Sequence, residues 1–250
     1  MRLREDELRD FYEDCYTPGV DGDKYRRWRD LGAVTKADHV VDLAARVGVG
    51  GGAAAGLVAE IGCGDGAVLA ELGRRGFGRR RVGFEISGSG VALAADRAEV
   101  DEAHVFDGAR LPVADRAFDV AFATHVLEHV PEPEPLVLEM TRVCRILVLE
   151  VPLEANLSAR RPAARAASEG VGHLHAFDRA RIRRMITAAG WRVRGEVLDA
   201  LPREVHMFDR TTPAARAKGY AKWAVRAGLG AVPGVGERLF TMHYALVATP

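Results

Sequence analysis

Three glycines at alternate positions, Gly62, Gly64 and Gly66, interrupt the stretch LVAEIGCGDGAVLAELG at residues 57–73. An apolar run precedes them and an amphipathic run follows, which predicts a strand, a tight turn and a helix. In open α/β sheets, ligands bind at such turns, at the carboxyl ends of strands. The missing side chains therefore indicate that a ligand approaches the backbone closely here.

An acidic residue, Glu85, lies 19 residues after Gly66, at the end of the second predicted strand. A carboxylate in this place can accept hydrogen bonds from both hydroxyls of a ribose, so the sequence predicts a cofactor of nucleotide type. The glycine spacing also satisfies G-x-G-x-x-(G/A), with Ala67 in the last place. This leaves an NAD-dependent dehydrogenase as one alternative.

The elements that must position these residues alternate along the chain. Short apolar segments predict five parallel strands, near 56–61, 80–85, 103–106, 118–123 and 145–151. Helices are predicted between them, near 66–75, 88–98 and 133–143. Two further strands, at 190–199 and 238–248, are predicted to pair as an antiparallel edge. The expected fold class is α/β, with a doubly wound, mostly parallel seven-stranded sheet.

Two regions are expected to lie outside the regular alternation of strands and helices. Residues 1–47 have helical periodicity and predict an N-terminal helical cap or lid. A cofactor-binding domain is expected over 48–250, starting with a Gly/Ala-rich joint at 48–56. An irregular insertion is predicted within this domain at about 152–177.

Four segments together carry a resemblance to a known family: AEIGCGDG at 59–66, GFEIS at 83–87, FDGARLPVADRAFDVAFATHVLEHVPEPEPLVLEMTRV at 106–143 and GHLHAFD at 172–178. In this order they resemble the class I S-adenosylmethionine-dependent methyltransferases, in their type 11 small-molecule branch. The resemblance spans roughly residues 56–200 and implies a Rossmann-like methyltransferase fold with S-adenosyl-L-methionine as cofactor. The family's K-P-G-G turn before the fifth strand is absent, because RVCRILVLEVP runs straight on.

The resemblance implies which residues bind the cofactor. Glu60 is expected at the methionine end, Glu85 at the ribose and Asp107 at the adenine amine. The full expected set is Glu60, Gly62, Gly64, Glu85, Ile86, Asp107, Gly108, Ala109 and Thr124. Since this cofactor carries a sulfonium and an ammonium but no phosphate, a crevice with several carboxylates suits its charge.

Histidines are the candidate catalytic residues. Methyl transfer depends on placing donor and acceptor at attack distance, and a base helps only when the acceptor is protonated. His125 directly follows the fourth predicted strand, and His173 and His175 lie in GHLHAF. Imidazole titrates near neutrality, so each can serve as a base. Proximity without a base stays open as an alternative.

A metal site is a second interpretation of the same histidines. His125, Glu128 and His129 are spaced i, i+3 and i+4 in HVLEH, which predicts one face of a helical turn, with His173 or His175 completing the site. The pattern resembles the E-x-x-E-H metal motif of ubiquinone-biosynthesis and small-RNA 2′-O-methyltransferases. His125 replaces the first glutamate, which favours zinc or iron over magnesium. The expectation is nevertheless no metal, because an ordinary helix start beneath a substrate pocket has the same pattern.

Composition narrows the class of partner. Lys+Arg and Asp+Glu both total 35, so the net charge is zero and predicts neither a nucleic-acid nor a membrane partner. A small-molecule acceptor is expected, with oxygen as the target atom.

The sequence also predicts the compartment. No signal-like start or membrane-length apolar run is present, and the three cysteines lie far apart, which together predict a cytoplasmic protein. The oligomeric state is unknown. A non-catalytic cofactor-binding or scaffold protein stays an alternative.

Overall fold

The computed structural model describes residues 5–16, 22–50, 55–232 and 234–250. Part of the predicted joint, residues 51–54, lies outside them. Within these ranges the chain forms a seven-stranded sheet in the order β3-β2-β1-β4-β5-β7-β6. The strands are β1 (Leu57–Ile61), β2 (Arg80–Glu85), β3 (Glu102–Val105), β4 (Phe118–Thr124), β5 (Cys144–Leu153), β6 (Arg192–Asp199) and β7 (Met242–Thr249).

Helices cover both faces of the sheet. They are α1 (Glu5–Tyr16), α2 (Gly22–Arg46), α3 (Ala67–Arg74), α4 (Gly88–Ala95), α5 (Pro133–Val143), α6 (Pro162–Gly170), α7 (Arg179–Ala188), α8 (Arg203–Met207), α9 (Pro213–Gly230) and α10 (Gly236–Leu239). None of the helices in the described ranges is long and apolar enough to cross a membrane.

The strand directions confirm the predicted doubly wound, mostly parallel sheet. Strands β1 to β5 pair in parallel, and β7 is antiparallel to both β5 and β6. Because β7 runs in the opposite direction, its first residue, Met242, lies opposite Leu153 at the end of β5. The start of β7 therefore reaches the same edge of the sheet as the carboxyl ends of the parallel strands.

The predicted N-terminal cap contributes directly to the core. Ala33, Ala37, Val40 and Leu43 of α2 are buried in the apolar cluster on one face of the sheet. Farther towards the N terminus, the Glu13 carboxylate of α1 accepts hydrogen bonds from the first backbone N–H groups of α4, at 2.5 and 3.0 Å. The cap thus packs on the sheet domain, and its action as a lid stays a prediction.

The insertion and the segment before β7 differ from the sequence-based expectation. The insertion at 152–177 was expected to be irregular but contains α6, whose residues are all partly or fully exposed. Helices α8, α9 and α10 were not predicted. In α9, an 18-residue helix, Gly219 is the one buried residue. Such helices lack the apolar stripe on which a periodicity argument depends.

Candidate functional site

A cleft of about 2080 Å³ opens at the carboxyl edge of the sheet, beneath α1 and the first half of α2. Every residue predicted to bind the cofactor lines it: Glu60, Gly62, Gly64, Glu85, Ile86, Asp107, Gly108, Ala109 and Thr124. His125 and His173 also line this cleft, whereas His175 does not. The structure therefore brings the predicted site together, with one predicted catalytic residue outside it.

The glycine turn after β1 has backbone angles that favour glycine. The φ angles are +72° at Gly62 and +54° at Gly64, in the left-handed region. A Cβ atom on Gly62 would lie 2.5 Å from a methyl carbon of Val126, and one on Gly64 would collide with the hydroxyl of Tyr16. Val126 and Tyr16 therefore leave no room for a side chain at Gly62 and Gly64, even without a bound ligand.

Glu85 holds this turn in place. Its buried carboxylate accepts hydrogen bonds from the backbone N–H of Gly64 at 2.9 Å and of Ile86 at 2.9 Å. Burial raises the pKa of Glu85, and these hydrogen bonds oppose the rise. Glu85 therefore fixes the glycine turn as well as facing the cleft, where the sequence predicts a ribose contact.

Glu60 is a buried carboxylate with an unsatisfied oxygen. It is 2% exposed, and its Oε2 has no hydrogen-bond partner among the described residues. Burial raises the pKa of Glu60 well above its usual range, and the positive charge of Lys36 partly opposes this. A buried polar atom without a partner is costly, so a ligand cation such as an ammonium fits this position.

Asp107 lies on the exposed rim of the cleft. One of its carboxylate oxygens, Oδ1, accepts hydrogen bonds from the N–H groups of Ala109 and Arg110, both at 2.8 Å. These hydrogen bonds lower the pKa of Asp107, so the group is ionised. The second oxygen makes no hydrogen bond within the described part of the chain, which leaves it available to a ligand amine.

Glu150 is the centre of a histidine cluster on the cleft floor that sequence reasoning missed. Its buried carboxylate contacts His39 Nδ1 at 2.8 Å, His243 Nδ1 at 3.0 Å and His125 Nε2 at 3.2 Å. Burial would raise the pKa of Glu150, but the hydrogen bonds with the three histidines hold it well below its usual range. The cluster therefore contains a carboxylate anion and at least one imidazolium.

His125 does not have the geometry predicted for a base. Its Nε2 faces Glu150, and its Nδ1 lies 3.3 Å from Glu128, within ion-pair distance but without hydrogen-bond geometry. Burial and Lys36 lower the pKa of His125, but the two carboxylates outweigh them and raise it. With both ring nitrogens facing carboxylates, the charged form of His125 is favoured, and an imidazolium has no lone pair for an acceptor proton.

The alternative metal arrangement of His125, Glu128 and His129 does not have the helical backbone that their spacing predicts. Residues 127–129 form a turn rather than a helix, closed by a 2.9 Å hydrogen bond from His129 N–H to the Val126 carbonyl. The ring of His129 lies against His173, at 4.7 Å between centroids. Among the described residues, Glu128, His129 and His173 form one of two groups whose candidate ligand atoms lie within 4.8 Å of one another; His125, Glu150 and His243 form the other.

The group of Glu128, His129 and His173 has features that suit a divalent cation. Glu128 is fully buried, and neither carboxylate oxygen has a hydrogen-bond partner among the residues that the structure describes. His129 Nδ1 donates to the Gly172 carbonyl at 3.2 Å, and His173 Nδ1 donates to Glu154 at 2.9 Å. Such bonds orient an imidazole so that Nε2 can bind a metal. Burial lowers the pKa of His129 to about 4, so its ring is neutral.

His175 has a structural role in place of the predicted catalytic one. Its Nε2 donates a hydrogen bond to the backbone carbonyl of Val130 at 2.9 Å. The ring also packs beside Phe177, with 5.6 Å between the centroids. His175 therefore ties the GHLHAF segment to the loop before α5, outside the cleft.

His39 gives the cluster a measurable pH dependence. Burial lowers the pKa of His39, but the ion pair with Asp199 at 3.6 Å and the hydrogen bond with Glu150 at 2.8 Å raise it to about 10. Since the folded pKa exceeds the unfolded value of about 6.5, the stabilisation is fully present below pH 6.5 and is lost as the pH rises to about 10. Urea unfolding at pH 6 and at pH 9.5 tests this. Between these two pH values, the free energy of unfolding should fall more in wild type than in His39→Gln. An equal loss in both proteins would contradict this charge assignment.

Comparisons with known proteins agree with this geometry. Residues 59–146 match a family model described as a methyltransferase domain. No curated protein sequence matches the chain. The structure is similar to that of geranyl diphosphate C-methyltransferase from Streptomyces coelicolor A3(2), which was solved with S-adenosyl-L-homocysteine bound. The two have a TM-score of 0.62 and 15% sequence identity, and the match covers 86% of this chain and 76% of the other.

Two further structures show how widely this fold is used. Phosphoethanolamine N-methyltransferase 2 from Haemonchus contortus, in complex with S-adenosyl-L-methionine, has a TM-score of 0.62 and 12% identity, over 97% of this chain and 59% of that one. The [4+2]-cyclase SpnF has a TM-score of 0.58 and 20% identity, over 86% of this chain and 80% of that one. At these identities the likeness shows the fold alone, and it leaves the reaction to be argued from the site.

Proposed function

Because this chain carries a class I S-adenosylmethionine-dependent methyltransferase domain, we propose that it is an enzyme that transfers a methyl group to a small-molecule acceptor, at oxygen. The observation that carries the proposal is the buried Glu60 carboxylate beside the glycine turn, with one oxygen left unpartnered. A cationic amino-acid group bound here would favour the ionised form of Glu60, which burial disfavours, whereas a pyrophosphate would bring further negative charge to the same place. This favours S-adenosyl-L-methionine over a nicotinamide dinucleotide.

The predicted cofactor-binding residues have distinct roles in this proposal. Glu60 faces the ammonium, Glu85 accepts from the ribose hydroxyls, and Asp107 accepts from the adenine amine. When bound, S-adenosyl-L-methionine supplies an activated methyl group on a sulfonium. The protein's contribution is to hold donor and acceptor together at attack distance.

The cleft has room for a second small molecule. Small-molecule sites commonly enclose about 300–1,000 Å³, and this cleft measures about 2080 Å³. Besides the cofactor residues, its lining includes Pro152, Pro202, Val205 and Thr241. The histidine-carboxylate cluster on its floor favours an acceptor that loses a proton, which supports oxygen as the target atom. The neutral net charge supports a small molecule over nucleic acid, and the cytoplasm is the proposed compartment.

A screen with S-adenosyl-L-methionine labelled in its methyl group tests the proposal. The acceptors are small phenols, hydroxylated natural-product intermediates, amines, tRNA and protein, with cofactor binding measured separately. We expect label in a small hydroxylated compound. Preferential labelling of tRNA or protein would contradict the small-molecule acceptor. Cofactor binding with no label in any acceptor would support a non-catalytic protein of this fold.

A metal-assisted methyl transfer is the second candidate, favoured by the unpartnered carboxylate of Glu128. The proposal itself is metal-free, because the positive charge of His125 offsets Glu128 across 3.3 Å. We therefore expect methyl transfer to survive EDTA, and metal analysis of the purified protein to show well below one ion per chain. One zinc or iron per chain, lost in Glu128→Gln, together with inactivation by EDTA and recovery with that ion, would establish the metal-assisted route instead.

A further inference from the structure

His243 occupies a position on the cleft floor that sequence reasoning did not consider. It is the second residue of β7 and pairs with Pro152 of β5 and Asp199 of β6. Because β7 is antiparallel, this position lies at the carboxyl edge of the parallel strands, where His243 lines the cleft. Its ring centroid is 4.4 Å from that of His125. The fold thus places a second imidazole beside the predicted one.

The two ring nitrogens of His243 have different surroundings. Nδ1 lies 3.0 Å from Oε1 of Glu150, whose ionised carboxylate can only accept, so Nδ1 carries the proton. Nε2 makes no hydrogen bond to any residue that the structure describes. It is also not one of the fully buried side-chain atoms that lack a partner, so it retains some exposure. The neutral ring therefore presents a lone pair on Nε2 to the cleft. This is the arrangement that a general base requires, and His125 lacks it.

We propose that His243 is the general base that takes the acceptor's proton, held in the correct tautomer by Glu150. The inference rests on the proposed methyl transfer and adds a residue to it. As a lone pair on the acceptor oxygen forms the bond to the methyl carbon, the carbon–sulfur bond breaks and its electron pair stays on sulfur. The hydroxyl proton passes to Nε2 of His243, and the resulting imidazolium is stabilised by Glu150.

The charges that face His243 keep it neutral before the reaction. Burial, the imidazolium of His125 and the ammonium of Lys36 on α2 lower the pKa of His243, whereas Glu150 opposes them. On the far side of Glu150, His39 of α2 occupies the other carboxylate oxygen and lies 3.6 Å from Asp199 of β6. A lowered pKa keeps the lone pair available at neutral pH, which is the state in which a base can act.

The test compares His243→Ala and His243→Asn with His104→Ala, an exposed histidine outside the cleft. Asparagine preserves a donor that can reach Glu150 but has no basic nitrogen. With the acceptor labelled in the methyl-transfer screen, we expect kcat at pH 7 to fall by about 100-fold or more in both His243 variants. S-adenosyl-L-homocysteine affinity, measured by calorimetry, should stay within about 2-fold, and His104→Ala should behave as wild type.

Two further readouts separate a base from a structural residue. Added imidazole should restore part of the rate in His243→Ala but not in His243→Asn, where the cavity is filled. In ¹⁵N-histidine NMR of the unreacted protein, His243 should be neutral at pH 7 and protonated on Nδ1. A wild-type kcat in both variants, or a charged His243 at pH 7, would overturn the inference while leaving the proposed function intact. A wild-type protein that binds S-adenosyl-L-homocysteine but labels no acceptor would overturn both.

Discussion

Replacing Glu150 with alanine is expected to lower the free energy of unfolding by about 3–5 kcal/mol, the usual cost of removing one partner of a buried ion pair. Glu150 is 1% exposed and is the shared partner of His39, His125 and His243. Without the carboxylate, His39 and His125 lose their shared buried counter-ion. The carboxylates that remain beside them lie farther away, Asp199 at 3.6 Å from His39 and Glu128 at 3.3 Å from His125. Urea unfolding at pH 7, with the m-value checked for two-state behaviour, measures the loss.

The pH dependence and a matched control make this prediction specific. Since the pKa of His39 is raised to about 10 by Asp199 and Glu150, against burial, the destabilisation by Glu150→Ala should be largest below pH 6.5 and should shrink as the pH approaches 10. Glu134→Ala removes an exposed carboxylate on α5 and should change stability by less than about 0.5 kcal/mol. A loss below 1 kcal/mol for Glu150→Ala would contradict the charge assignment in the cluster.

Replacing Glu85 with alanine is expected to weaken S-adenosyl-L-methionine binding by about 10- to 150-fold, which corresponds to about 1.5–3 kcal/mol for lost hydrogen bonds to a charged group. The carboxylate is expected to bind the ribose, and it also holds the backbone of Gly64 at 2.9 Å. Calorimetric titration measures the affinity, and thermal unfolding without ligand shows how much of the change comes from the released turn.

Two further variants separate the roles of Glu85. Glutamine keeps an oxygen that can accept from Gly64 but carries no charge, so Glu85→Gln should bind more tightly than Glu85→Ala and more weakly than wild type. Glu134→Ala, which lies outside the cleft, should bind as wild type. An unchanged affinity in Glu85→Ala would remove Glu85 from the cofactor site.

The sequence predicts the sheet well because its strands are short apolar runs closed by recognisable turns. Strand β2 and helix α5 begin and end at the predicted residues, and the antiparallel pairing of the last two strands is confirmed. No helix is predicted between β6 and β7, where the structure has α8, α9 and α10. Helix α9 is largely exposed, so solvent exposure and local propensity, rather than a core-facing stripe, determine its pattern.

The cofactor-binding residues were predictable for a related reason. Glu60, Glu85 and Asp107 each sit at or just after the end of a parallel strand, and a doubly wound sheet brings these ends to one edge. The acid-base residues were not predictable in the same way, because Glu150 and His243 are 93 residues apart and meet through the antiparallel register of β5 and β7. A signal was nevertheless present, namely a glutamate inside the apolar run RILVLEVP.

Cofactor identity is the central claim, and one calorimetric experiment tests it most directly. The purified protein is titrated separately with S-adenosyl-L-methionine and with NADH under the same conditions. The fold, the match of residues 59–146 to a methyltransferase family model and the unpartnered Glu60 carboxylate predict saturable binding of S-adenosyl-L-methionine and no binding of NADH. Saturable binding of NADH with no binding of S-adenosyl-L-methionine would contradict the account.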